Sequence, residues 1–238
     1  MPVLIFYTIN DVNDLILGVT IEFLITAYYL ILGLTLFNRS NLIIAIGILL
    51  CLLSRYSLVL WLPLYFMVML LESKKRTLMI SLYVIGGVLL IYILPFFIHD
   101  TSIFSQGYDY HTKAAIGEWM RGSNKPLHLY RGIGFAAYFY EYLSGDISSK
   151  IDVLRFVHLS ITLMSTVLMS IIYYIYRQKI NKKLYLLASL KIYLVIFYSF
   201  IQIPYHYLFL VPLIISILIL FEVMKLNFAP NDKPIISG

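Results

Sequence analysis

Residues 41–76 read NLIIAIGILLCLLSRYSLVLWLPLYFMVMLLESKKR, an apolar run that is broken once, at residues 54–57, and ends in three basic residues. Arg39 precedes the run, so basic residues flank both of its ends. Basic connectors mark the cytoplasmic side of membrane proteins, and two cytoplasmic ends require the run to enter the bilayer and return. The sequence therefore predicts two short helices of about 14 to 16 residues each, with Arg55 near the outer turn. One long tilted helix is the alternative, and it would leave the Arg55 charge in mid-membrane at high cost.

The composition of the whole chain favours a membrane protein. Hydrophobic residues make up 61% of its 238 residues and charged residues 13%, against about a quarter charged in soluble domains. A soluble chain this apolar could not cover its surface with polar groups. The net charge of +6 does not indicate nucleic-acid binding, because the basic residues are concentrated beside apolar runs, in connectors such as 74–76 and 177–183.

The remaining apolar runs continue the same alternation. We predict further spans at residues 15–37, 78–98, 153–176, 184–201 and 207–221, and we expect the second of these to end near Pro95. The predicted fold class is an all-α, polytopic transmembrane helix bundle with about seven membrane segments, two of them short, and one long extracytoplasmic loop at about 99–150. Residues 1–224 form a single transmembrane domain and residues 225–238 a polar cytoplasmic tail. The predicted location is the plasma (inner) membrane of a bacterium, with several passes.

Tyrosine is frequent, with 21 residues, and many of them lie where predicted spans meet loops. Because the ring is apolar and the hydroxyl polar, tyrosine favours the headgroup level of a bilayer. The tyrosines expected to anchor there are Tyr28, Tyr29, Tyr108, Tyr110, Tyr173, Tyr174, Tyr176, Tyr205 and Tyr207.

Polar residues gather on the non-cytoplasmic face of the predicted topology. Asp11 and Asp14 precede the first span, Arg55 lies at the turn between the short helices, and His206 lies between the last two spans. Guanidinium is permanently charged and binds phosphate in a bidentate fashion, so Arg55 is a candidate for gripping the phosphate of a lipid-linked substrate. The alternative is that Arg55 marks a topological turn and reaches lipid headgroups.

Two other regions hold candidate ligand-binding residues. Glu22 lies about two turns into the first span, where a carboxylate needs a partner; that partner is Arg55, or Glu22 is protonated and bonded to a neighbouring helix. The long loop adds aromatic, basic and acidic side chains that suit a sugar, because rings stack on pyranose faces and carboxylates bond hydroxyls. Alternatively, this part of the loop is an amphipathic helix that rests on the bilayer. The loop candidates are Tyr108, Asp109, His111, Trp119 and Arg121.

No metal or nucleotide motif is present in the sequence. The five histidines and the single cysteine, Cys51, have no metal-ligand spacing, and one cysteine cannot form an intrachain disulfide. A P-loop, a dinucleotide-binding glycine motif and a nucleophile elbow are also absent from the sequence. We therefore expect no resident metal, and a divalent cation is the only cofactor left open.

The run at 41–76 resembles the middle region of polyprenol-phosphate-sugar-dependent membrane glycosyltransferases, which have the C-type glycosyltransferase fold. In that family, two short helices are joined by a Ser-Lys or Ser-Arg turn, followed by apolar residues, a proline and a basic cytoplasmic run. Ser54-Arg55 and Pro63 match this pattern. The late stretch IQIPYHYLFLVPLIISILIL, residues 201–220, is similar to the family's late spans, in which an aromatic-rich turn precedes a proline-containing helix.

The resemblance implies an enzyme that moves a hexose or pentose from a polyprenyl-phosphate carrier to an acceptor on the outer face. Its partners would be membrane lipids and the lipid-linked donor. Family members hold a catalytic Asp in the first external loop, after an initial membrane helix. Only about ten residues precede Asp11 here. Either Asp11 and Asp14 are unrelated to that catalytic Asp, or the chain is the C-terminal part of a longer protein and inactive alone; we expect the second.

The implied chemistry needs a carboxylate as general base on the acceptor hydroxyl and a cation that stabilises the departing lipid phosphate. Asp11, Asp14 and Asp109 are the candidates for the base, and Arg55 is the candidate cation. The remaining candidates for donor or acceptor binding are Glu22, Tyr108, His111, Trp119, Arg121 and His206.

Other classes of function stay open at this point. A polysaccharide polymerase or a lipid-linked sugar flippase would share the substrate but not the donor chemistry, and a non-catalytic accessory subunit would share neither. A small-molecule transporter is least favoured, because transporters repeat their broken helices in two halves. This sequence has one broken pair and no detectable second copy.

Overall fold

The computed structural model describes residues 22–54, 56–100, 142–200 and 207–228, with the single residues 102, 106, 107 and 109. The regular elements in that part are helical, which confirms the all-α class. The α-helices are α1 Glu22–Thr35, α2 Asn41–Ser54, α3 Leu62–Glu72, α4 Lys74–Val88, α5 Leu94–His99, α6 Ile147–Tyr176, α7 Lys182–Phe200 and α8 Tyr207–Phe228.

The apolar run that begins at Asn41 folds as two helices, as predicted. α2 has 14 residues, but α3 has only 11 and is shorter than expected. The chain between them forms a 3₁₀ turn at Tyr56–Leu58 before α3 begins at Leu62. Pro63 occupies the first turn of α3, where its missing N–H would have no intrahelical partner anyway. The connection between α2 and α3 thus includes residues that were predicted to belong to the second helix.

The helix predicted at 78–98 is longer than expected and does not end near Pro95. Ser73 caps the start of α4 by accepting the N–H of Arg76, so the helix begins at Lys74. A π-helical turn, Leu89–Ile93, joins α4 to α5, and the N–H of Leu94 bonds the carbonyl of Leu89. Proline lacks the N–H that a regular α-helix would use. The wider turn lets one continuous rod pass through Pro95 to His99.

Two other helix boundaries differ from the prediction. α6 begins at Ile147 rather than near residue 153, because Asp146 caps it by accepting from Ser149. α8 continues to Phe228, past the residue at which a polar tail was expected to begin. Lys225 remains inside this helix and bonds Glu222, one turn earlier.

The helices pack side by side in a closed ring. Around the ring the order is α1, α2, α4, α3, α6, α7 and α8, and α8 packs on α1 again. The interior is filled by apolar and aromatic side chains, and Trp61, Tyr65, Tyr29 and Tyr193 are among the largest that are fully buried. Trp61 and Tyr65 lie on or beside the short helix α3, so this helix contributes the largest rings to the core.

The basic connectors share one end of the bundle, which we call the basic end. Arg76, at the start of α4, donates to the side chain of Asn41 (3.0 Å) and to the carbonyl of Asn38. Lys182, at the start of α7, lies 3.6 Å from Glu72, at the end of α3. A second ion pair, Lys183–Glu222 at 2.8 Å, holds the start of α7 against the end of α8. The turn between α2 and α3 therefore points to the opposite end, which we call the outer end.

Two helices in the described part are long and apolar enough to cross a membrane, at 74–96 and 148–176. In the most apolar 18-residue stretch of each helix, only 17% and 22% of the residues are buried within the protein. A core helix of a soluble protein would pass the same length and composition test, but it would be buried. Because these apolar surfaces are exposed, they indicate association with a membrane.

Neighbouring glycines in α4 provide a test of the packing between α2 and α4. A Cβ added at Gly87 would overlap the Leu49 side chain of α2, whereas nothing lies within 4 Å of one added at Gly86. We expect Gly87→Leu to destabilise the protein by about 1–3 kcal/mol through overpacking. The matched control Gly86→Leu should be neutral or slightly stabilising, since leucine favours helix more than glycine does. Equal thermal midpoints for the two variants in detergent would contradict this packing.

Candidate functional site

The reversal between α2 and α3 lies at depth in the bundle. At about 1.5 Å per residue, α2 is about 21 Å long and α3 about 16 Å. Both are shorter than the roughly 30 Å hydrocarbon core of a bilayer. The rod Lys74–His99 and the helix α6 measure about 39 Å and 45 Å on the same scale. The turn therefore stops short of the outer ends of its two longest neighbours.

Ser57 lies at this turn and is held by tyrosines from two other helices. The hydroxyl of Tyr198 donates to Ser57 Oγ at 2.7 Å, and Tyr29 Oη lies 3.2 Å from the same oxygen. Tyr193 donates to the backbone carbonyl of Ser57. Ser57 is 4% exposed. Buried polar groups need hydrogen-bond partners; here Tyr193 satisfies the backbone carbonyl of Ser57, while Tyr198 and Tyr29 contact its hydroxyl. We call the four residues the turn cluster.

Trp61 fixes the start of α3 against α7. Its indole N–H donates to Ser189 Oγ at 3.1 Å, and Ser189 in turn donates to the carbonyl of Leu186. The indole stacks on Tyr65 with ring centroids 5.7 Å apart, and Tyr65 donates to the carbonyl of Leu36 at 2.8 Å. These contacts tie the first turn of α3 to α7 and to the residue after α1, and so anchor the neighbouring α2–α3 turn.

His158 ties α6 to the last turn of α7. Its Nε2 lies 2.8 Å from the carbonyl oxygen of Phe197, and because a carbonyl only accepts, Nε2 carries the hydrogen. The last four carbonyls of a helix have no intrahelical donor, and Phe197 belongs to that group in α7. The two rings also pack together, with centroids 4.9 Å apart.

Two carboxylates that the sequence analysis did not single out lie at the outer end. The hydroxyl and N–H of Ser102 bond Asp100 and hold the pKa of its carboxyl below the ordinary value. The hydroxyl and N–H of Ser149 likewise bond Asp146, at the start of α6, and lower the pKa of its carboxyl. Both groups are therefore ionised at neutral pH. An Asp followed by Ser two or three residues later is the local signal that could have identified them.

Most of the predicted site residues lie outside the residues that the structure describes. These are Asp11, Asp14, Arg55, Tyr108, His111, Trp119, Arg121 and His206. Glu22 is the first residue of α1, but its side chain is not among those described. Asp109 is described and is exposed. The convergence of these residues into one site therefore stays a prediction.

The interfacial role predicted for the tyrosines is wrong for some of them and stays a prediction for the others. Tyr174 and Tyr176 are exposed near the basic end, as an anchoring role requires. Tyr29 and Tyr173 are buried, with exposed fractions of 0% and 1%. Tyr29 binds Ser57, and Tyr173 packs against Tyr185. Composition near a span end does not tell which face of the helix a tyrosine occupies.

Among the described residues, no group of three or more His, Cys, Asp or Glu side chains converges on a point where a metal ion could bind. Comparison with known proteins finds no matching family model, no matching curated protein and no matching solved structure.

Proposed function

We propose that the protein is a membrane glycosyltransferase, or part of one, that transfers a sugar from a polyprenyl-phosphate-linked donor to an extracytoplasmic acceptor. The observation that carries the proposal is the fixed, buried turn between α2 and α3. Ser54 ends α2 and Tyr56 opens the 3₁₀ turn, and Arg55 lies between these two residues in the sequence. A permanent cation in such a position suits the phosphate of a lipid-linked substrate.

The environment supports a substrate with a long apolar chain. Many apolar side chains are exposed along the rod 74–99 and along α6, including Leu90, Phe156 and Met164 at 68%, 71% and 71%. A polyprenyl chain can lie along such surfaces in the bilayer while its phosphate reaches the turn. The proposal includes a bundle of about seven membrane segments in the plasma membrane of a bacterium, with the basic end in the cytoplasm.

The proposed reaction is a single displacement. The acceptor hydroxyl oxygen attacks the anomeric carbon, the bond from that carbon to the phosphate oxygen breaks, and the electron pair leaves with the lipid phosphate. The proton of the hydroxyl passes to a carboxylate, for which Asp11, Asp14 and Asp109 are the candidates. Arg55 stabilises the charge that develops on the leaving phosphate.

The test is sugar transfer from a panel of radiolabelled polyprenyl-phosphate hexose and pentose donors by the protein in membranes. Losing a preorganised charge at the leaving group costs roughly 10²- to 10³-fold in rate, and we expect this loss for Arg55→Ala and a comparable loss for Asp11→Asn. Arg155→Ala is the matched control, because Arg155 lies near the outer start of α6 and, among the described residues, its ion pair is a local one, with Asp152 at 3.7 Å. Unchanged transfer in both Arg55→Ala and Asp11→Asn would refute the proposed site.

A further inference from the structure

The basic end carries more cations than its carboxylates can pair. In the connectors and helix ends that form it, the acidic residues are Glu72 and Glu222. Lys182 lies 3.6 Å from Glu72, and both Lys183 and Lys225 bond Glu222, at 2.8 Å and 3.0 Å. Both carboxylates in the described part of this end are therefore already engaged.

Five further cations of the basic end are exposed. They are Arg39, Lys74, Lys75, Arg177 and Lys179. Within the described residues, none of the five forms an ion pair with a carboxylate. The guanidinium of Arg177 lies over the ring of Tyr174, 4.9 Å from its centroid, a contact that does not neutralise the charge. This surface therefore has a net positive charge that the described residues do not compensate.

Contacts between the connectors join these cations into one rim. The bonds from Arg76 to Asn38 and Asn41 bring the connector that holds Arg39 beside the start of α4, where Lys74 and Lys75 lie. The ion pair between α3 and α7 brings the connector at 177–181 beside the same junction. The five side chains thus form one basic rim rather than separate basic spots.

An exposed apolar surface adjoins the rim on both long helices. On α4, Leu78 follows Lys75 by one turn and is 62% exposed, and Leu82 is 55% exposed one turn further. On α6, Ile175 and Leu168 precede Arg177 and are 63% and 58% exposed. A ligand that fits this surface must offer negative charge at the rim and apolar groups immediately beside it.

We propose that the basic rim binds the phosphates of anionic phospholipids, with their acyl chains lying on the adjoining faces of α4 and α6. Phosphate oxygens pair with Lys and Arg at the headgroup level, and the acyl chains cover the exposed leucines and isoleucines. A nucleic acid would complement only the positive charge of the basic rim, because it has no apolar groups to cover the exposed apolar surface beside the rim. The proposal does not depend on the sugar-transfer reaction.

The test is lipid retention by the full chain, purified in a mild detergent and measured by native mass spectrometry after addition of phosphatidylglycerol or phosphatidylcholine. We expect the wild type to retain phosphatidylglycerol in preference to phosphatidylcholine. Each cation beside an anionic lipid surface contributes a factor of about five. The double variant Lys74→Gln/Lys75→Gln should therefore bind phosphatidylglycerol about 25-fold more weakly, with unchanged affinity for phosphatidylcholine.

The control removes two cations from the other end of the molecule. Lys150→Gln/Arg155→Gln, near the outer start of α6, should retain phosphatidylglycerol as the wild type does. Added inorganic phosphate should not displace the lipid if the acyl chains contribute, and displacement by phosphate alone would show an anion site rather than a lipid site. Equal retention of the two lipids, equal losses in the two double variants, or displacement by a short DNA duplex would overturn the proposal.

Discussion

Replacing Trp61 with alanine is expected to lower the midpoint of thermal unfolding by on the order of 10 °C. The indole is fully buried, stacks on Tyr65 and donates a hydrogen bond to Ser189. Truncating a buried Trp costs about 3–5 kcal/mol through lost contacts and the cavity left behind, and 1 kcal/mol shifts the midpoint of a chain of this size by about 2–4 °C. No other single substitution considered for this fold removes as much buried surface.

The protein supplies its own probe for this measurement. Cys51 is the single cysteine of the chain, and it is fully buried in α2, so a thiol-reactive fluorescent dye reports unfolding directly. Trp61→Phe should lose only about 1–2 kcal/mol, because a smaller aromatic ring still fills most of the space and the main loss is the bond to Ser189. Leu78→Ala, at an exposed apolar position of α4, should leave the labelling midpoint within about 1 °C. A Trp61→Ala midpoint equal to that of Leu78→Ala would contradict the central position of Trp61.

The sequence predicted the features of the fold that follow from charge placement and apolar length. Basic residues on both sides of the run at 41–76 required a reversal, and the structure has one between α2 and α3. The cationic connectors also lie together at one end, as the alternation required. The passage of the helix through Pro95 was not predictable in the same way. It depends on a π-helical turn, which hydrophobic periodicity does not reveal.

The candidate site was less predictable than the fold. Pattern alone drew attention to Arg55, because a charge in an apolar run is costly. It gave no reason to single out Ser57, two residues later, since serine is common in turns. The tyrosines that bind Ser57 come from α1 and α7, so they are distant in sequence and meet only after the ring closes. Tyr29 shows most clearly what the sequence does not reveal. Its residue type suggested a place at the membrane interface, whereas its hydroxyl contacts Ser57, 28 residues away.

Ser57→Ala is the second substitution for which we expect a large effect, a loss of about 2–4 kcal/mol in the free energy of unfolding. The substitution removes the oxygen that contacts both Tyr29 and Tyr198, and each buried hydroxyl left without its partner costs about 1–3 kcal/mol. Ser216→Ala is the matched control. Its hydroxyl bonds only the carbonyl of Pro212 in its own helix, so its loss should cost no more than about 0.5 kcal/mol.

A double-mutant cycle separates the turn cluster from general packing. In the wild type, Tyr198→Phe removes a hydroxyl that donates to Ser57, whereas in the Ser57→Ala background that bond is already gone. The cost of Tyr198→Phe should therefore fall by about 1 kcal/mol or more in the second background, measured from the Cys51 labelling midpoints. Additive costs would show that the phenol and the serine act independently. A coupled result would mean that Ser57, in the turn between α2 and α3, stabilises the fold in part through Tyr198 of α7.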